Sequence, residues 1–94
     1  MNRLYPIGSV VKLELDSNRM VMIIGYYPIY DETQQFYQYL AVPYPKGINN
    51  DYSFQVFNHD DIKEPLFMGY LSEEGETLLD VMPTLEEKIL KQMQ

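Results

Sequence analysis

The one histidine of this chain, His59, stands between Asn58 and a pair of carboxylates, Asp60 and Asp61. Read as chemistry, the group would make His59 a general base with Asp60 or Asp61 orienting its ring. Side chains adjacent in sequence rarely converge on one another, and the chain has no cysteine to act as nucleophile. Ser9, Ser17, Ser53 and Ser72 sit in no recognisable nucleophile motif. The competing reading makes Asn58, His59 and Asp60 the frame of a tight turn, and that is the expectation adopted here. A metal site would need three or four N, O or S ligands at workable spacing. His59-Asp60-Asp61 lacks the alternation of a calcium loop, and Asp31-Glu32 supplies only adjacent acids, so both read as solvated loop charge. Gly8, Gly25, Gly47, Gly69 and Gly75 never cluster into a phosphate-cradling loop. Paired carboxylates of the glycosidase kind need a cleft that so small a domain seldom supplies. The expectation is a non-enzymatic protein with no catalytic, metal or cofactor-binding residue and no cofactor.

Tyrosine is the compositional outlier, at nine of 94 residues. Tyr26, Tyr27, Tyr30, Tyr37, Tyr39 and Tyr44 crowd the middle of the chain. Tyrosine suits surfaces that are half apolar and half wet, and is enriched at interfaces. The alternative is cross-strand packing within a sheet. The segments 28–34 and 44–52 are the expected contact loops, because tyrosines and prolines there have less sheet to bury them. The candidate protein-binding set is therefore Tyr26, Tyr27, Tyr30, Tyr44, Pro45 and Gly47, with Asn58, His59 and Asp60 from the turn.

These residues hang on a short series of strands. Residues 9–15 alternate, with Val11, Leu13 and Leu15 on one side and Val10, Lys12 and Glu14 on the other, the pattern of a half-buried strand. Asp16-Ser17-Asn18 is turn chemistry, which makes strands one and two a hairpin. Residues 19–27 are apolar on both faces and predict a central strand covered on each side. Gly25 predicts a bulge or bend within it, and Pro28 ends regular pairing. Further strands are expected at about 35–42, 52–57 and 65–70, with a turn capped by Asn58 between the last two. Ser72 can cap a helix whose first turn, Glu73-Glu74, is acidic. Pro83 is expected to break that helix. Thr84 with Glu87 reads as a capping box opening a second one, and Leu85, Ile89, Leu90 and Met93 form its apolar stripe, more at home docked on the chain's own sheet than on a partner. The whole reads as one α+β domain over 1–94: a five-stranded antiparallel, SH3-like curled sheet or barrel over about 5–71, then a helical tail of one or two helices over about 72–94.

Composition bounds the partners. With 46% hydrophobic and 22% charged residues the chain is globular. Its formal charge is −7, and its seven Lys and Arg form no patch, so nucleic acid and anionic membrane surfaces are disfavoured. Absence of cysteine, with no apolar run of signal or membrane-span length, sets a cytoplasmic expectation. The exposed tyrosines and the tail stripe equally allow a homodimer.

Five blocks in order carry a resemblance: Tyr5-Pro6-Ile7-Gly8-Ser9-Val10-Val11-Lys12-Leu13, Met22-Ile23-Ile24-Gly25-Tyr26, Tyr44-Pro45-Lys46-Gly47, Phe57-Asn58-His59-Asp60-Asp61-Ile62 and Phe67-Met68-Gly69-Tyr70. Over residues 5–70 they resemble a family of small uncharacterised proteins of Gram-positive bacteria, a domain of unknown function. Its members are similar to accessory proteins encoded near type VII (ESX-type) secretion systems and their LXG toxins. The resemblance implies a protein that binds a secreted toxin or secretion component as chaperone or targeting adaptor, and it brings no catalytic residues. The alternative is an immunity protein, since acidic charge suits a basic nuclease toxin.

Overall fold

A computed structural model of the chain describes residues 3–30, 35–48 and 54–92. Among the described residues seven strands precede one α-helix: β1 Val10–Leu13, β2 Met20–Tyr26, β3 Ile29–Tyr30, β4 Gln35–Phe36, β5 Tyr39–Tyr44, β6 Gln55–Phe57, β7 Ile62–Phe67 and α1 Glu73–Gln92. Five strands form one antiparallel sheet in the order β6-β5-β2-β1-β7, and β3 pairs with β4 in a small hairpin. The expected first hairpin is present, closed by the Arg19 N–H donating to Asp16 C=O at 3.1 Å.

The sheet curls but is not closed, which corrects the barrel half of the expectation: β6 and β7 are both edges. Chain length explains the curl. Only Asn58 and one turn of 3-10 helix, His59–Asp61, join one edge to the other. In a flat sheet those edges would lie roughly 19 Å apart at about 4.8 Å per strand. Five Cα steps reach about 18 Å when fully extended, and a helical turn is far shorter. The sheet must bend to bring β6 towards β1, and Asp61 C=O accepts the Glu14 N–H at 2.8 Å just beyond β1.

The inner face of the curl holds Val11, Val21, Ile23, Tyr39, Ala41 and Phe57, packed with Leu4 and with Leu79 and Met82 of α1. The helix covers one face only, so Met20, Met22 and Ile24 stay half-exposed on the other, unlike the two-sided burial expected of strand two. The bulge predicted at Gly25 is real: the β2–β5 register slips between Ile23 and Gly25. It has a structural consequence. Strict alternation from Ile23 would send Tyr26 outward; the slip sets Tyr26 opposite Tyr39, on the core side.

Three prolines depart from the sequence reading. Pro43 lies inside β5, past the end of β6, whose last partner there is Ala41, so its missing N–H interrupts no bond on that side. Pro65 lies inside β7, an edge, and β7 begins at Ile62 rather than at residue 65. Pro83 does not break the helix; α1 is one helix of 20 residues with Pro83 inside, and no second helix starts at Thr84. An interior proline costs about 3 kcal/mol. Leu79 and Met82, both buried, contribute roughly 1.5–3 kcal/mol each and outweigh it. Both sides of the proline are also tied down, by Arg3 donating to Asp80 at 2.9 Å and by Gln38 Nε2 donating to Glu86 at 3.0 Å. The start is as predicted: Ser72 Oγ accepts the Gly75 N–H at 3.0 Å. No helix among the described residues is long and apolar enough to cross a membrane.

Candidate functional site

The Asn58–Asp61 turn is held from two sides. Within it, the Asn58 N–H donates to the Asp61 carboxylate at 2.9 Å. From the start of β5, Gln38 N–H donates to Asn58 Oδ1 at 3.0 Å, and Gln38 Oε1 accepts the His59 N–H at 2.7 Å. The His59 ring meets the core through Tyr39, whose hydroxyl lies 2.7 Å from Nδ1. That hydroxyl also accepts the Tyr5 N–H at 2.8 Å. The Tyr39 oxygen already accepts one N–H, and donating its own proton to Nδ1 would use its donor role as well; that sense requires the Nε2–H tautomer of the neutral ring. Tyr5 stacks edge-on against the same ring at 4.8 Å. His59 is therefore bound to a fully buried tyrosine, while Asp60 points to solvent and Asp61 bonds the turn backbone. Among the described residues no group of His, Cys, Asp and Glu could hold a metal ion.

The tyrosines of the candidate set divide. Tyr26 donates to Tyr5 C=O, and burial pushes its phenol up to about 12. Tyr27 takes the left-handed conformation at φ +55, where the chain leaves the main sheet for the β3–β4 hairpin. It is held there by its hydroxyl donating to Met82 C=O at 3.1 Å, by its N–H donating to Gln38 C=O at 3.1 Å and by a stack on Phe36 at 5.3 Å. Burial, then the nearby Glu86 carboxylate, push its phenol to about 12. Tyr30 belongs to β3, and its side chain lies outside the described residues, as do 31–34 and 49–53 of the two expected contact loops. Tyr44 and Pro45 are exposed at the end of β5, and Gly47, at φ +72, donates its N–H to Pro43 C=O at 2.7 Å. Tyr44 borders a shallow apolar depression on the outer sheet face with Gly8, Val10, Met22 and Phe67. The structure thus gathers Asn58 and His59 with Gln38 and Tyr39, and leaves the Tyr44–Gly47 segment on a separate surface.

A better-formed cavity lies elsewhere. At the edge of the core the curl forms a cleft of about 320 Å³. Leu13, Val21 and Phe57 line it from three strands, Tyr37 and Gln55 stand beside them, and Asp16, Arg19 and Asp61 bring charge to it. Arg19 Nε lies 3.7 Å from Asp16 Oδ2, leaving Asp61 as the acid outside that pair. Leu15, which strand alternation sends inward, falls beyond the end of β1 and is 98% exposed at the same cleft. The sequence reading missed this site, because its lining comes from both hairpin strands, the β4–β5 connection and β6. The one local signal was a leucine set against turn residues, Leu15-Asp16.

These features define a small α+β domain, an open curled antiparallel sheet with one helix across its inner face and an apolar cleft with charge at its mouth. Within that class the sequence matches, over residues 4–78, the family described as a domain of unknown function, DUF4176, and the chain belongs to that family. The match runs from the Leu4 core residue through all seven strands into the first turns of α1. No curated protein and no solved structure matches the chain.

Proposed function

We propose that the protein is a non-enzymatic protein-binding accessory domain, an adaptor or chaperone for a type VII secreted toxin or secretion component. The observation that carries this reading is the cleft: apolar surface of Leu13, Leu15 and Tyr37 beside the buried Val21 and Phe57, with charge from Asp16, Arg19 and Asp61. The engagement of His59 with Tyr39 adds support, since it ties the sole histidine to the core. The motif resemblance supplies the secretion context. A second reading, an immunity protein, is favoured by the charge of −7, which suits a basic nuclease toxin.

Co-expression with a candidate LXG-type toxin separates the two. An adaptor co-purifies with the toxin in equimolar amount and leaves its activity intact; an immunity protein abolishes toxicity. Absence of any complex at low salt refutes both. Leu15→Glu and Tyr37→Ala are expected to weaken the complex at least tenfold with unchanged far-UV circular dichroism.

A further inference from the structure

The two edges of the sheet differ. β7, Ile62–Phe67, carries Lys63, Glu64 and Pro65, residues that discourage pairing with a further strand. β6, Gln55-Val56-Phe57, has neither charge nor proline, and among the described residues no strand pairs its outer side. Phe54, just before it, is exposed. Gln55 and Phe57 lie opposite Ala41 and Tyr39, which places them on the inner face, and both line the cleft. A strand added along β6 would send alternate side chains to that same side, over the cleft. At about 320 Å³ the cavity lies at the lower end of the roughly 300–1,000 Å³ usual for ligand pockets, the scale of one or two side chains and not of a folded surface. Its charged lining is two acids, Asp16 and Asp61, against one base, Arg19, on a chain of net charge −7.

We propose that β6 and the cleft together receive an extended polypeptide segment carrying one large apolar side chain next to a Lys or Arg. Backbone bonds along β6 give affinity; the apolar side chain packs on Leu13, Leu15 and Tyr37 at the edge of the buried Val21 and Phe57; the cation meets Asp61 and Asp16. The inference rests on the protein-binding reading and names the chemistry of the segment bound.

The test uses the full chain and a fluorescein-labelled, β-branched heptapeptide with a central Phe between two Lys, compared with the same peptide bearing Glu for both Lys. Fluorescence anisotropy should show at least tenfold tighter binding of the Lys peptide, weakening as salt rises. Changing the central Phe to Ser should cost at least tenfold. Asp16→Lys, a change at a half-exposed turn side chain, should cut the Lys-over-Glu preference at least fivefold. Amide shifts on titration should centre on Gln55, Val56 and Phe57. Equal affinity for the two peptides, an unchanged preference in Asp16→Lys, or shifts centred on β7 or on Tyr44 and Phe67 would overturn the proposal. Failure of both peptides, while the intact toxin still binds, sinks the segment assignment and leaves the accessory reading standing; failure of the toxin as well sinks both.

Discussion

Replacing Tyr39 with Phe removes one oxygen atom from the centre of the fold and nothing else. The ring keeps its place, packed at 5.3 Å from Phe57 and 6.1 Å from Tyr26, so no large cavity opens. What is lost is the acceptor for the Tyr5 N–H and the hydrogen-bond partner of His59 Nδ1. Each hydrogen bond contributes about 0.5–1.5 kcal/mol net, and a buried partner left unpaired costs about 1–3 kcal/mol. The two figures overlap, and the expected loss is roughly 2–4 kcal/mol, a large fraction of the ~5–15 kcal/mol typical of a whole domain. Urea unfolding followed by circular dichroism measures it directly. His59→Ala alone and in combination completes a double-mutant cycle, in which the Tyr39–His59 coupling should be about 1 kcal/mol or more. Nitrogen NMR of the neutral ring should show the proton on Nε2. A Tyr39→Phe variant within about 0.5 kcal/mol of wild type, additive single changes, or a protonated Nδ1 on the neutral ring would refute the network as drawn.

Gly69→Ala should be as damaging: a Cβ there would stand 2.1 Å from Ile7 O and 2.9 Å from Gly8 C, backbone atoms that cannot swing away. The same segment donates the Gly69 N–H to the buried Ser9 Oγ at 3.0 Å, so a loss of about 2–4 kcal/mol and a fall in melting temperature of roughly 10–30 °C are expected. Gly25→Ala, whose Cβ would meet only Leu40 at 3.7 Å, is the control and should stay within about 1 kcal/mol of wild type. Alkaline pH should unfold the protein through its tyrosines. Burial raises Tyr26 and Tyr27 to about 12 and lifts Tyr39 above the ordinary value, whereas the unfolded phenols titrate near ~10. Above that value the unfolded chain releases protons that the folded chain retains, so stability is full below about pH 10 and declines towards pH 12. Urea midpoints that stay level from pH 8 to about pH 11.5 would contradict this assignment of buried phenols.

Much of the fold was legible wherever neighbours in sequence are neighbours in space. The first hairpin followed from alternation up to Leu13 and the Asp16-Ser17-Asn18 turn, and the helix start from Ser72 ahead of Glu73 and Glu74. Asn58 marked its turn for the same local reason. The short β3–β4 hairpin was not visible, because two-residue strands carry no periodicity. The candidate residues were chosen by type, and type does not say which way a tyrosine points. Tyr39 and Tyr44 begin and end the same strand, yet one is fully buried and the other 47% exposed.

By itself, then, the sequence determined the antiparallel α+β class, the first hairpin, the Asn58 turn and the cap at Ser72, because capping, turn chemistry and alternation act within a few residues. The tertiary structure alone decided four things. The bulge ahead of Gly25 turned Tyr26 to the core. Burial of Leu79 and Met82 carried α1 through Pro83. Lack of a neighbouring strand let Pro43 and Pro65 sit within strands. The four-residue link from β6 to β7 curled the sheet around the cleft. Each depends on what lies across the sheet or under the helix, and such long-range contacts leave no local pattern to read.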